Sequence, residues 1–195
     1  MNLQSVKASL LVRPWLSILL VALILVTRTN YSSAVINTPD ITLAAFFIAG
    51  LWLPSVAIFV LLFATCVLAD MLSFAAGVSD WCFTPAYVFL VPTYACLWYA
   101  GKFSRNLDLF KVVDVAKIAA YVVIAIVAAY IISSYSFYYF SGHVTATNAL
   151  KYTEGLAHYF WSPYFSWAAF YTVISLGIAA VVRLVNPSAA TDTRK

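Results

Sequence analysis

The stretch SVAIFVLLFATCVLADML, residues 55–72, decides the fold class of this chain. It carries no charge until its sixteenth residue, Asp70. An apolar helix of about 20 residues, rising 1.5 Å per residue, crosses the ~30 Å hydrocarbon core of a bilayer. The stretch therefore predicts a transmembrane helix, with its one acidic residue at an end of the helix and not at its middle.

The same pattern recurs along the whole chain. Of its 195 residues, 64% are hydrophobic and only 9% are charged, whereas soluble domains carry about 25% charged residues. Five further apolar runs cover about residues 14–27, 41–53, 85–101, 112–137 and 164–185. We therefore predict an all-α integral membrane protein, a bundle of about six transmembrane helices that forms a single domain over residues 1–195. Pro54 ends the short second run, and Pro92 predicts a kink in the fourth.

Charge placement predicts the topology of this bundle. Lys and Arg favour the cytoplasmic side of short loops. With both termini cytoplasmic, nine of the eleven Lys and Arg residues fall inside, and only Arg28 and Lys151 fall outside. Three segments then face outward, at about residues 28–40, 73–84 and 141–163. The cations are scattered without a dense basic block, so nucleic acid is not predicted as a partner.

Cys82 is the main candidate for chemistry. It lies beside Asp80 in an outward segment, and three aromatic side chains near it in sequence can shield it from bulk water: Trp81, Phe83 and Tyr87. A thiolate is a soft ligand, suited to a transition metal. The alternative is that Cys82 is an inert packing residue, as many cysteines of apolar chains are.

The residues that follow Cys82 favour the reactive interpretation. Thr84 suits the N-cap of a helix and Pro85 its first turn. Cys82 would then lie just before a helix N-terminus, where the macrodipole favours a thiolate. Tyr87 and Tyr94 are two helical turns apart and share one face of this helix.

The remaining polar residues leave alternatives open. Asp70 is either part of a site or a hydrogen-bond acceptor at a helix end. Asp40 either caps the second helix or contacts a ligand. His143 and His158 are too far apart to predict a metal site, and residues 149–159 are either an amphipathic surface helix or a lid over a cavity. Nucleotide-binding and hydrolase motifs are missing from the chain, and no catalytic residue is predicted.

Two segments resemble a known transporter family. These are TPDITLAAFFIAG, residues 38–50, and SDWCFTPAYVFLVPTYACLWYAG, residues 79–101. Together with six short spans in about 190 residues, they resemble the BtuM family, solitary cobalamin-specific S-components of energy-coupling-factor (ECF) vitamin transporters of the bacterial inner membrane.

The resemblance implies a function and a site. Cobalamin would be the transported ligand, Cys82 would coordinate its cobalt, and Asp70 and Tyr87 would line the pocket. The protein would be no enzyme, apart from assisting the loss of cyanide from cyanocobalamin, and would have no cofactor of its own. S-components that dock on a shared energising module carry an AxxxA pattern in the first helix. Here the first span has no such pattern, although Ala45 and Ala49 form one in the second. This fits a solitary S-component, and an ECF energising module stays open as a partner.

Three other functions stay open on the sequence. The chain can be an S-component for a different vitamin, with Cys82 incidental. It can be a membrane redox or thiol enzyme in which Cys82 is the reactive group. It can also be a structural subunit of a membrane complex.

Overall fold

The computed structural model describes residues 14–29, 39–77, 83–142 and 149–185, and within these ranges the chain is all-helical. The helices are α1 (Pro14–Arg28), α2 (Thr42–Trp52), α3 (Val56–Ala75), α4 (Leu90–Ser104), α5 (Val112–Phe140), α6 (Ala149–Tyr159) and α7 (Ser166–Val185). A 3₁₀ helix, Pro85–Phe89, leads into α4, and a π-helical segment, Phe160–Phe165, joins α6 to α7.

Each apolar run predicted from the sequence forms a helix. Pro54 lies in the short break between α2 and α3, as predicted. The irregularity expected at Pro92 lies slightly earlier, where the 3₁₀ helix gives way to α4 at Leu90. Pro92 has no N–H to bond the carbonyl of Val88, so the turn before it is not held in α-helical geometry.

Helix α2 is the centre of the bundle. It packs against α1, α3, α4 and α7, and every residue from Ala44 to Leu51 is buried. A helix that is apolar on all sides belongs in an interior. At 11 residues α2 is about 16 Å long, shorter than a bilayer core. This length is tolerated because neighbouring helices, and not lipid, surround it.

Two glycines bring α2 and α4 into backbone contact. A Cβ atom at Gly50 would collide with the carbonyl oxygen of Trp98, and one at Gly101 with the carbonyl oxygen of Phe47. Small residues allow such close approach of two helices. Next to this contact the ring of Phe46 on α2 stacks on Tyr94 of α4, with centroids 4.6 Å apart.

The outer faces of the bundle are apolar. Two helices, α3 and α5, are long and apolar enough to cross a membrane. In their most apolar stretches 33% and 28% of the residues are buried, whereas the core helix of a soluble protein would be mostly buried. The exposed faces carry large apolar side chains, among them Val60, Leu68, Ile124, Ile131 and Val173.

Helices α6 and α7 run back along α5. The helix predicted at residues 149–159 has those bounds in the structure. It continues through the π-helical segment into α7, so the helical path begins well before the predicted start at residue 164. The Tyr130 hydroxyl of α5 donates to the Leu156 carbonyl at 2.7 Å, and the Tyr138 and Tyr152 rings lie 5.0 Å apart. This order of contacts makes α5 and α6 antiparallel.

The glycine contact yields a test of the fold. We expect Gly101→Ala to lower the free energy of unfolding by about 1–3 kcal/mol, because the added methyl group must push α2 and α4 apart. Thermal unfolding of the purified protein measures the loss. Gly177→Ala is the matched control, since its Cβ would meet nothing within 4 Å. It should leave stability unchanged or raise it slightly. Equal melting temperatures for the two variants would contradict the proposed packing.

Candidate functional site

Arg28 and Asp70 form a bidentate salt bridge at one end of the bundle. Arg28 is the last residue of α1, and Asp70 lies in the last two turns of α3. The Arg28 Nε donates to Asp70 Oδ1 at 2.7 Å and Nη2 donates to Oδ2 at 2.9 Å. Both side chains are mostly buried, with 15% and 17% of their surface exposed. Two parallel charge-assisted hydrogen bonds compensate for removing both charges from solvent.

Three more side chains complete the network around this pair. The Tyr87 hydroxyl donates to Asp70 Oδ2 at 2.6 Å. The Arg28 Nη1 atom lies 3.4 Å from Asp40 Oδ2 and 3.5 Å from the Thr42 hydroxyl. The network therefore connects α1, the start of α2, α3 and the 3₁₀ helix. We call these five residues the Arg28 network.

Asp40 has two roles in this network. Its Oδ1 accepts hydrogen bonds from the backbone N–H of Thr42, at 2.8 Å, and from the Thr42 hydroxyl. Thr42 is the first residue of α2 and Ile41 its N-cap residue, so Asp40 satisfies one of the free N–H groups at the start of the helix, in line with the first of the two alternatives. Its Oδ2 faces Arg28, and 48% of the side chain is exposed. Asp40 is thus the member of the network that a ligand reaches most easily.

Tyr94 lies behind the guanidinium group. The Arg28 Cζ atom is 6.0 Å from the centroid of the Tyr94 ring, at the limit of a cation–π contact. Tyr94 itself is buried. Cys66, one turn before Asp70 on α3, is also buried, in agreement with the packing role expected for it.

The structure brings together four of the residues predicted for the site. Asp70, Tyr87 and Tyr94 all contact Arg28 or each other. Phe83 is half exposed, and its ring centroid lies 5.0 Å from that of Tyr87 and 5.6 Å from that of Phe74. Two of the three aromatic side chains predicted to shield Cys82, Phe83 and Tyr87, therefore contact each other.

The other predicted residues lie outside the described residues. Asp80, Trp81 and Cys82 belong to residues 78–82, the segment that joins Gly77 to Phe83. His143 also lies outside the described residues, and so does the side chain of His158. Their place in the site stays a prediction.

The start of the 3₁₀ helix differs from the prediction in one respect. Thr84 is its N-cap residue, with extended backbone, and Pro85 opens the first turn, as expected. The Thr84 hydroxyl makes no capping hydrogen bond. It is buried without a partner among the described residues. The helix that it was expected to cap begins in the tighter 3₁₀ geometry, not in α geometry.

Arg28 is the residue that sequence reasoning missed. It was recognised only as one of two cations on the outward side. The sequence does indicate this contact, because Arg28, Asp40 and Asp70 are predicted to lie at the same end of three spans. Charges at the edge of an apolar bundle pair with one another when they can.

The chemistry of the Arg28 network is recognition by hydrogen bonding. Arg28, Asp40 and Asp70 together carry a formal charge of −1, from one cation and two carboxylates. Both Asp70 oxygens already accept hydrogen bonds. The hydrogen bonds from Arg28 Nη1 are long, at 3.4 and 3.5 Å, and the Tyr87 oxygen can still accept a hydrogen bond, so these two groups can bind a further partner. Such groups suit the amide and carbonyl groups of a polar ligand edge. The described residues contain no group of three or more His, Cys, Asp and Glu side chains that would hold a metal ion.

No protein-family model matches the chain, and no curated protein is significantly similar to it. The residues and the geometry of the site are therefore the basis for a functional proposal.

Removing one partner of the Arg28 network tests its energetic role. We expect Asp70→Asn to lower the free energy of unfolding by about 3 kcal/mol, because Arg28 stays buried without its countercharge. Arg28→Lys should also destabilise, since an ammonium group cannot form the bidentate salt bridge. Denaturant or thermal unfolding measures both variants.

The pair Asp114–Lys117, with an Nζ–Oδ1 distance of 3.5 Å and 53% of the lysine side chain exposed, supplies the control. Lys117→Ala should change the free energy of unfolding by less than about 0.5 kcal/mol, as is usual for solvent-exposed pairs. If Asp70→Asn had an effect this small, the network would contribute little to the fold.

Proposed function

We propose that the protein is a membrane-embedded uptake protein that binds cobalamin at the Arg28 end of the bundle, with Cys82 as a ligand of the cobalt. The observation that carries the proposal is the hydrogen bond between Tyr87 and Asp70. These two residues lie on either side of residues 71–86, the 16 residues that include Cys82, so the bond holds the two sides of this stretch together. The salt bridge between Arg28 and Asp70 anchors this stretch to α1.

The distribution of charge supports membrane embedding. Helices α1 and α3 end at the Arg28 end, and α5 also ends there, whereas the 3₁₀ helix and α4 start there. Five described cations lie towards the opposite end of the bundle: Lys102, Arg105, Lys111, Lys117 and Arg183. Arg28 and Lys151 lie at or near the Arg28 end. An excess of cations at one end, with apolar faces between the ends, fits the positive-inside rule. The Arg28 end is then the outward end.

The second helix bears on the energy source. Ala45 and Ala49, the AxxxA pattern of the second helix, are completely buried inside the bundle. They cannot form a docking surface for a second protein while the bundle is intact. We therefore propose a solitary S-component that works without a dedicated energising module.

The proposed chemistry is an exchange of axial ligands on cobalt. The Cys82 thiol loses its proton, and the thiolate sulfur forms a bond to cobalt as the dimethylbenzimidazole base leaves. In cyanocobalamin a thiolate on one axial face also favours the loss of cyanide from the other, as a cyanide ion that keeps both bonding electrons. The amide groups at the edge of the corrin are suitable partners for Asp40, Tyr87 and Arg28.

The visible absorption spectrum of the purified protein tests cobalt ligation. After incubation with cobalamin we expect a corrinoid spectrum shifted from that of the free vitamin, and we expect Cys82→Ala to abolish the shift. Cys96→Ala is the matched control, because Cys96 is a partly buried thiol of α4, and its spectrum should equal that of the wild type.

The other outcomes separate the alternatives. A corrinoid spectrum that is the same in wild type and Cys82→Ala would remove Cys82 from the mechanism. Absence of bound corrinoid would reject the cobalamin assignment, and binding of a different vitamin would then favour the related S-component function. Rapid modification of Cys82 together with turnover of a lipid or quinone would instead favour a membrane thiol enzyme.

The proposed orientation can be tested with introduced cysteines. Lys151 and Arg105 are both exposed but lie on opposite sides of the proposed membrane. In a variant without the native cysteines, a membrane-impermeant maleimide added to intact cells should label Lys151→Cys and not Arg105→Cys. Cell lysis should make both sites reactive. Labelling of Arg105→Cys in intact cells would reverse or reject the topology.

A further inference from the structure

A groove separates α5 from α7 in the half of the bundle opposite the Arg28 network. Towards the Arg28 end, α5 contacts the π-helical segment that precedes α7, where the Tyr130 ring lies 4.9 Å from Phe160 and 5.4 Å from Tyr164. Beyond this contact a cavity of about 450 Å³ lies between α5 and α7. Its lining residues recur at helical spacing, from Val115 to Ile126 on α5 and from Ala169 to Ala180 on α7, with Phe165 of the π-helical segment at one end.

The groove is apolar and open to the surroundings. Ile118, Val122 and Ile126 form its buried floor, with at most 7% of their surface exposed, whereas 68% of Val173 at the rim is exposed. Thr172 is the one polar side chain among its lining residues. Its buried hydroxyl has no hydrogen-bond partner in the part of the chain that the structure describes.

The length of the groove matches one leaflet of a bilayer. The lining residues of α5 run from Val115 to Ile126, which is 11 steps along the helix and, at 1.5 Å per step, about 16 Å. Half of the ~30 Å hydrocarbon core is about 15 Å. An alkyl chain lying along the helices from one membrane surface would therefore end close to the point where α5 contacts the π-helical segment.

Cations lie at the open end of the groove on both helices. Lys111 is exposed and directly precedes α5, four residues before Val115. Arg183 follows Ala180 by three residues on α7. The acidic residues nearby are engaged within the protein. Asp114 pairs with Lys117 and accepts the backbone N–H of Asp108, and Asp108 accepts the backbone N–H of Phe110. By formal charge, the four cations Lys102, Arg105, Lys111 and Lys117 exceed the two carboxylates at this end by two, so an anionic group here would meet net positive charge.

We propose that this groove holds an acyl chain of one anionic phospholipid of the cytoplasmic leaflet, with the lipid phosphate at Lys111. The site rests on the membrane embedding of the proposed function and not on cobalamin binding. Apolar contact supplies the affinity for the chain, and the cations select the charged headgroup over a zwitterionic one. A bound lipid fills the space that α5 and α7 leave between them.

Native mass spectrometry of the full-length protein tests the site. The probes are phosphatidylglycerol and phosphatidylcholine with identical acyl chains, added to delipidated protein in detergent. We expect the wild type to retain one phosphatidylglycerol in preference to phosphatidylcholine. Lys111→Gln should reduce that preference about fivefold, which corresponds to the ~1 kcal/mol that one cation contributes near a membrane surface. This exposed substitution leaves the fold intact.

Filling the groove is the second arm of the test. Gly177 lines the groove, and a Cβ atom there meets nothing within 4 Å. Gly177→Leu therefore places its side chain in the space of the acyl chain and should abolish retention of both lipids. The matched control is Gly155→Leu on α6, which is equally open and lies outside the groove. Thr172→Val should retain the lipid, because an alkyl chain does not use the hydroxyl.

Three results would overturn the proposal. Equal retention of the two lipids by the wild type would reject the charged headgroup. Retention of lipid by Gly177→Leu at the level of Gly155→Leu would reject the groove. A dimer that Gly177→Leu dissociates would show that a second copy of the chain occupies it. Failure of membrane embedding would appear separately, as protein that stays soluble without detergent, and failure of cobalamin binding would leave the lipid result unchanged.

Discussion

The bidentate pair between Arg28 and Asp70 is the interaction on which the Arg28 end of the bundle depends. Each charge is buried and would be costly alone. Replacing either residue with a neutral one would therefore leave the other as a buried charge without its main partner. Asp70 in turn accepts the hydroxyl of Tyr87, and Arg28 faces Asp40 at the start of α2. Three helices and the 3₁₀ helix are thereby fixed relative to one another on either side of the segment that contains Cys82.

A second constraint acts on the interior. Gly50 and Gly101 let α2 and α4 touch through their backbones, and this contact allows an 11-residue helix to be enclosed by its neighbours. The polar network and the apolar contact make different contributions to the structure. Close packing gives the bundle its rigid centre, whereas directional hydrogen bonds decide how the helix ends are arranged. A ligand site that needs a fixed position for a few polar groups benefits from both.

The two ends of the molecule differ in chemistry, and the difference bears on both proposals. One end combines a buried ion pair, two tyrosines and a half-exposed carboxylate, which is suited to recognising a polar ligand with an extended apolar face. The other end carries most of the cations and an apolar groove of one leaflet's depth, which is suited to lipid.

The sequence by itself determined the helical class and the break at Pro54, and it offered residues 149–159 as one possible helix and Asp40 as one possible cap, since these depend on local composition and on neighbours within a few residues. It also pointed to Asp70, Tyr87, Tyr94 and Phe83 as neighbours. Only the tertiary structure decided that Arg28 joins them, because its partner Asp70 lies 42 residues away. The same holds for the groove, which lies between α5 and α7. The pairing and spacing of helices are set by packing between distant segments, and no local pattern encodes them.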